Sequence, residues 1–197
     1  MPRIQASLSA LLCLVSLCCG CSPESSSRQA PPIPVAEPLS STTADKPASG
    51  GPRDYSGITY NIPASWSEIP NQTMVDSKYL VPTSKGELEL TLTSMGGGID
   101  SNIGRWVGQI RQGPGDSPKS ESIEVDGLEG TLIDVRGEFS SKDATSNAGS
   151  RADWRLVGIG VPVPGRDFFV KLVGPREAVV EFYDELLKFV KSGKKAK

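Results

Sequence analysis

No histidine occurs anywhere in the 197 residues. That absence removes the commonest general base, the commonest metal ligand and every Ser-His or Cys-His dyad. Cysteine is confined to Cys13, Cys18, Cys19 and Cys21. The chain after Cys21 therefore has no disulfide, no thiolate zinc site and no cysteine nucleophile. Charge of neither sign is in excess: 21 Lys and Arg stand against 23 Asp and Glu. Without a basic field, nucleic acid is not an expected partner. Carboxylates, Lys, Ser, Thr and Tyr remain for chemistry, but no Gly-x-Ser-x-Gly elbow and no convincing Ser-x-x-Lys set is present. The sequence predicts no catalytic residue, no metal site, no cofactor and a non-enzymatic role.

What is present begins with an export signal. Arg3 is the sole charge before Glu24, and residues 6–19 form an apolar stretch too short to span a membrane comfortably. It ends at Leu17-Cys-Cys-Gly-Cys21-Ser, which resembles a bacterial lipobox. Gly20 and Cys21 fit that pattern, and Cys18 stands where leucine is usual. The resemblance implies a signal peptide over 1–20, acylation of Cys21 by chains such as palmitate, and export to a membrane-anchored place at the cell envelope, on its periplasmic or extracellular face. No later cysteine exists to pair with Cys21 in an oxidising compartment. Each buried CH₂ contributes about 0.8 kcal/mol, so two or three acyl chains would hold almost permanently.

Residues 22–53 are rich in Ser, Pro, Ala and Thr and lack apolar periodicity. With Cys21 they read as a disordered tether, 21–53. A flexible chain of this length spans roughly 30 Å root-mean-square.

Residues 54–193 are long enough for one core, with a basic tail at 194–197 expected to fray. Strands are expected at 57–63 (stopping at Pro63, the chain then turning toward Trp66), 77–82 (ended by Pro82), 87–93, 122–125, 128–139, 154–161 and 167–173. The segment 87–93 alternates strictly, with Leu88, Leu90 and Leu92 facing inward. Glu87 and Glu89 on its other side read as a solvated face rather than a metal or acid–base pair. Asp126-Gly127 between two strand patterns signals a tight hairpin. Residues 140–150 are small and polar and read as a mobile loop. Gly158 and Gly160 alternate on one face and are expected to admit a closely packed helix. The 167–173 strand is apolar on both faces and belongs in the centre of the sheet.

A glycine loop at 96–98 opens into an internal helix expected to run to about residue 112. Ile103, Trp106, Val107 and Ile110 fall on one face, and Asp100, Ser101 and Asn102 are candidate N-caps. A second helix follows Pro175, with Val179, Phe182, Tyr183, Leu186, Phe189 and Val190 as its inner stripe and Gly193 as its stop.

Three motifs carry a family resemblance. Asn102-Ile-Gly-Arg-Trp-Val-Gly-Gln109 resembles an Asn-x-x-Arg-Trp-x-x-Gln helix of bacterial lipoproteins of unknown function. Phe168-Phe-Val-Lys-Leu-Val-Gly-Pro175, leading into a helix, resembles their C-terminal strand-to-helix unit. Tyr60-Asn-Ile-Pro-Ala-Ser-Trp66 resembles their Tyr-x-x-Pro-x-x-Trp opening. Those proteins are similar to the PsbP-like superfamily, which includes the photosystem II PsbP subunit and a Ran-binding nuclear import factor. The resemblance implies an α+β fold: an α/β/α sandwich with a mostly antiparallel central sheet. It implies no catalytic or ligand-binding residue, because fold does not fix function.

The sequence-level expectation is thus a tethered module docking an unknown envelope protein and held to the membrane through Cys21. Its candidate interaction surface is Arg105, Gln109 and Arg111. The alternative is a small-ligand binder, with the 96–98 glycines presenting backbone N–H groups to an anion at a helix N-terminus.

Overall fold

The computed structural model describes residues 50–70, 72–140 and 150–196. The expected signal peptide, Cys21, nearly all of the tether, the 141–149 part of the polar loop, Asn71 and Lys197 lie outside the described residues.

The elements run β1 (Gly51–Asp54), β2 (Ile58–Ile62), β3 (Ser67–Glu68), β4 (Ser77–Thr83), β5 (Gly86–Met95), α1 (Ile99–Val107), β6 (Ile110–Arg111), β7 (Lys119–Val125), β8 (Leu128–Phe139), β9 (Arg151–Val161), β10 (Asp167–Pro175), α2 (Arg176–Lys191) and β11 (Lys194–Lys195). A sheet ordered β3-β4-β5-β10-β9-β8-β6, with β7 also on β8, forms the middle layer. A small sheet, β1-β2-β11, lies beside it. All pairings among the described strands are antiparallel. The fold is α+β.

The two faces of the large sheet carry separate cores. On one, Leu88, Leu90 and Leu92 of β5 pack with Phe168, Val170 and Leu172 of β10 beneath α2. On the other, Phe169 and Val173 pack with Ile133, Val135 and Leu156 beneath Trp106 of α1. Being apolar on both faces, β10 lies between β5 and β9, as its composition implies. Each such side chain contributes roughly 1.5–3 kcal/mol by leaving water.

The glycines of β9 set the seat of α1. A Cβ on Gly158 would collide with Trp106, coming within 2.7 Å of Cζ3, and one on Gly160 would come within 2.8 Å of Ile99 Cγ2. Gly158→Ala is expected to cost about 1–3 kcal/mol by lifting Trp106 off the sheet. Urea denaturation measures it, and an unchanged midpoint would show that Trp106 is not pressed on β9.

Several expectations need correction. α1 ends at Val107, with Gly108 as its C-cap, and Ile110 leaves the helix to pair with Phe139 through β6. Gly104 and Gly108 weaken the last turn, and Ser140 N–H donates to Gln109 O at 2.8 Å. None of Asp100, Ser101 and Asn102 caps the helix: Gly98 holds that position, with no side-chain cap. Asn102 instead sits one turn in and donates from Nδ2 to Gly98 O at 2.9 Å. Pro82 does not end β4, because it sits where β4 can still pair through Thr83 with Gly86. Pro175 precedes the first residue of α2.

The domain also extends past both expected ends. β1 takes in Gly51, Pro52 and Arg53, which pair with β2. At the other end Lys194 and Lys195 do not fray but pair with Thr59 and Ile58. Ala196 N–H donates to Gly57 O at 2.9 Å, and Lys195 N–H donates to Asp126 Oδ2 at 2.9 Å. Asp126 is in the β7–β8 turn, where it and Gly127 both have positive φ (48° and 78°), as a two-residue hairpin of this kind requires. The Lys195 N–H, with the Lys194 and Lys195 charges behind it, holds the Asp126 carboxyl below its usual range.

Candidate functional site

The three residues expected to form one docking patch each face a partner within the chain. Arg105 is exposed, and its Nη2 donates to Asn102 Oδ1 at 2.9 Å. Arg111 pairs with Glu138 across β6 and β8. Gln109, just after α1, accepts a hydrogen bond from Lys171 Nζ at 2.7 Å.

Gln109 leads instead to a row of side chains on the α1 side of the sheet. Lys171 Nζ lies 5.8 Å from the Phe139 ring centre. Phe139 stacks on Trp154, with centroids 5.4 Å apart and planes 15° from parallel. The Arg151 guanidinium lies over the Trp154 ring, 4.6 Å from its centre. Each of the two stacked rings thus has a cation near its face. Trp154, Arg151 and Lys171 are half-buried.

The local backbone explains the row. The β8–β9 register shifts between Gly137 and Phe139. Gly137 has φ 145° and lies directly under the Arg111 carbonyl, so only glycine lets β6 cross here. Such an irregularity re-aims the next side chain, and here Phe139 meets Trp154. Its sequence signal was faint. Lys171 is a lone charge inside an apolar run, and Trp154 reads as the start of a strand. Nothing local joins them to Phe139 and Arg151.

No family model matches the sequence, and no curated protein matches it. A solved structure does: cyanobacterial PsbP (CyanoP) from Synechocystis sp. PCC 6803, in solution, is 12% identical, with 81% of this chain and 100% of that one covered at a TM-score of 0.47. The likeness is one of fold alone.

The remaining candidates resolve into structural contacts. In the large sheet, Glu89 pairs with Lys78 at 2.9 Å and Glu87 is exposed. Among the described residues no group of three or more Asp, Glu, His or Cys is placed to hold a metal. Gly97 and Gly98 have φ 98° and 79°, so the turn itself requires them. The Gly96 and Gly98 carbonyls both face the Asn102 amide, and Asp100 brings negative charge to the first turn of α1. The ionisable interior is a bidentate pair: Arg155 donates to both Asp134 oxygens at 2.8 Å. Tyr183 covers that pair, its ring 4.6 Å from the guanidinium. Burial, and after it the Asp134 charge, raises the Tyr183 phenol above its ordinary pKa. Burial likewise drives Tyr55 and Tyr60 well above the usual range.

Proposed function

We propose that the chain is an exported, membrane-tethered lipoprotein of the cell envelope whose PsbP-like domain docks a protein partner and carries out no catalysis. The observation that supports it is the half-buried Trp154, stacked on Phe139 with the Arg151 guanidinium over its ring, next to the Gln109–Lys171 contact. Trp and Arg are the residue types enriched at binding hot spots, and a ring already fixed in place loses little freedom on docking. The interior ionisable groups described above serve packing rather than a cleft. No helix of the described residues is long and apolar enough to cross a membrane. The attachment reading comes from the lipobox-like segment at Cys21.

The test is crosslinking in native membranes followed by mass spectrometry, for the native chain, Cys21→Ser and Trp154→Ala. The native chain is expected to capture one discrete partner. Cys21→Ser is expected to lose it together with the mass increment of acylation. Trp154→Ala is expected to weaken capture about tenfold or more while melting as a folded domain. Undiminished capture by Trp154→Ala would remove this row from the interface. An unmodified Cys21 in the native chain would remove the lipid anchor.

A further inference from the structure

A second surface lies on the α2 side of the sheet. β7 pairs with β8 and with no other described strand, so one of its edges carries unpaired backbone groups. A groove of about 400 Å³ runs between β7 and α2. Its lining includes Glu121 and Ile123 from one face of β7 and Ser122 and Glu124 from the other. Side chains of alternate residues point to opposite faces of a sheet. Both sets can meet one cavity only around the strand's free edge. Ile123 provides an apolar floor, and Tyr183 and Leu187 of α2 form the opposite wall. Glu121 and Glu124 are exposed and form no ion pair among the described residues. Asp126, at the end of the groove, is already engaged by Lys194 and Lys195. Lys191 is the one cation in the lining.

We propose that the β7 edge and this groove take up an extended cationic peptide segment as an added strand. Backbone pairing to an open edge supplies affinity, and alternate side chains supply selectivity. Side chains on one face of the added strand enter the groove beside Ile123 and Glu121, while those on its other face meet Glu124. The two glutamates also guard the edge, because a second acidic strand is repelled. This surface is on the opposite side of the sheet from Trp154 and stands independently of the docking proposed there.

The experiment is amide-shift NMR on the unlipidated full chain (Cys21→Ser), titrated at low ionic strength with a capped heptapeptide alternating Lys and Val. Shifts confined to β7 and the facing turns of α2 are expected. The Glu/Val counterpart peptide should not bind. The Lys/Val peptide N-methylated at alternate residues should not bind either, since it cannot pair on one side. Glu121→Lys/Glu124→Lys, checked for an unchanged melt, should weaken binding about tenfold or more. Absence of binding, binding that survives N-methylation, or shifts centred on Trp154 would each overturn the proposal. So would sedimentation showing a dimer that the double variant dissociates, because the occupant would then be a second copy of the chain.

Discussion

Asp134→Ala is expected to lower the stability of the domain by about 3–5 kcal/mol. The carboxylate is 7% exposed and takes two hydrogen bonds from Arg155, which is equally buried. Removing it leaves a guanidinium under α2 with no counter-charge. Arg136 stands 3.7 Å from the same carboxylate and is one-third exposed, so it adds a second cation to the emptied site. Buried pairs of this kind often contribute little net stability against an apolar pair of similar volume, and breaking one side is what costs. The double change Asp134→Leu/Arg155→Met should therefore recover most of the loss. Guanidinium denaturation of the two singles and the double gives the coupling. Additive costs within about 0.5 kcal/mol would mean that the two side chains do not depend on one another.

Trp66→Ala should cost a similar amount, about 3–5 kcal/mol. The indole is 1% exposed and meets three rings: Tyr79 of β4 at 5.8 Å, and Phe182 and Phe189 of α2 at 6.1 and 4.7 Å. Phe189 in turn stacks on Tyr60 of β2 at 4.8 Å. Trp66 thus joins the large sheet, α2 and the small sheet, and the cavity left by alanine cannot close from one side alone. Trp66→Phe should keep the three contacts and lose less than half as much. A loss below about 1 kcal/mol for Trp66→Ala would place the indole at the surface rather than at this junction.

Strong, repeated patterns were legible from residues alone. The Leu88-Leu90-Leu92 alternation, the Asp126-Gly127 turn and the two-sided apolarity of β10 all have local causes, and each fixed its element. Gly158 and Gly160 went further, because their spacing announced a helix lying close on β9. What escaped had its cause elsewhere in the chain. β1 begins Gly51-Pro52-Arg53, with no apolar alternation, and exists because β2 offers it an edge. Ile110 continues the helical period on paper, yet Phe139, distant in sequence, draws it into β6. The lysines after Gly193 look like a fraying tail until the Asp126 carboxylate and the β2 edge are set beside them. The Trp154 row depends on a register shift at Gly137 and could not be read from either strand separately. The contacts of Arg105, Gln109 and Arg111 with Asn102, Lys171 and Glu138 likewise depend partly on strands far away in the sequence.

Tension drawn along the chain from its N-terminal side meets β1 before any other described element. Gly51 is opposite Ile62 at the open end of the β1–β2 pair, and Asp54 is opposite Thr59 at its closed end. A pull on Gly51 therefore parts the rungs one after another instead of shearing them together. Arg53, donating to both Glu68 oxygens at 3.0 and 2.6 Å, is a late fastening. Behind it is Tyr55, 3% exposed, its hydroxyl within 3.3 Å of Ser77 Oγ and 3.2 Å of the Tyr79 hydroxyl. Opening β1 would release about 13 Å of chain and stop there, so this strand is a mechanical fuse that yields under load while the sandwich behind it stays whole.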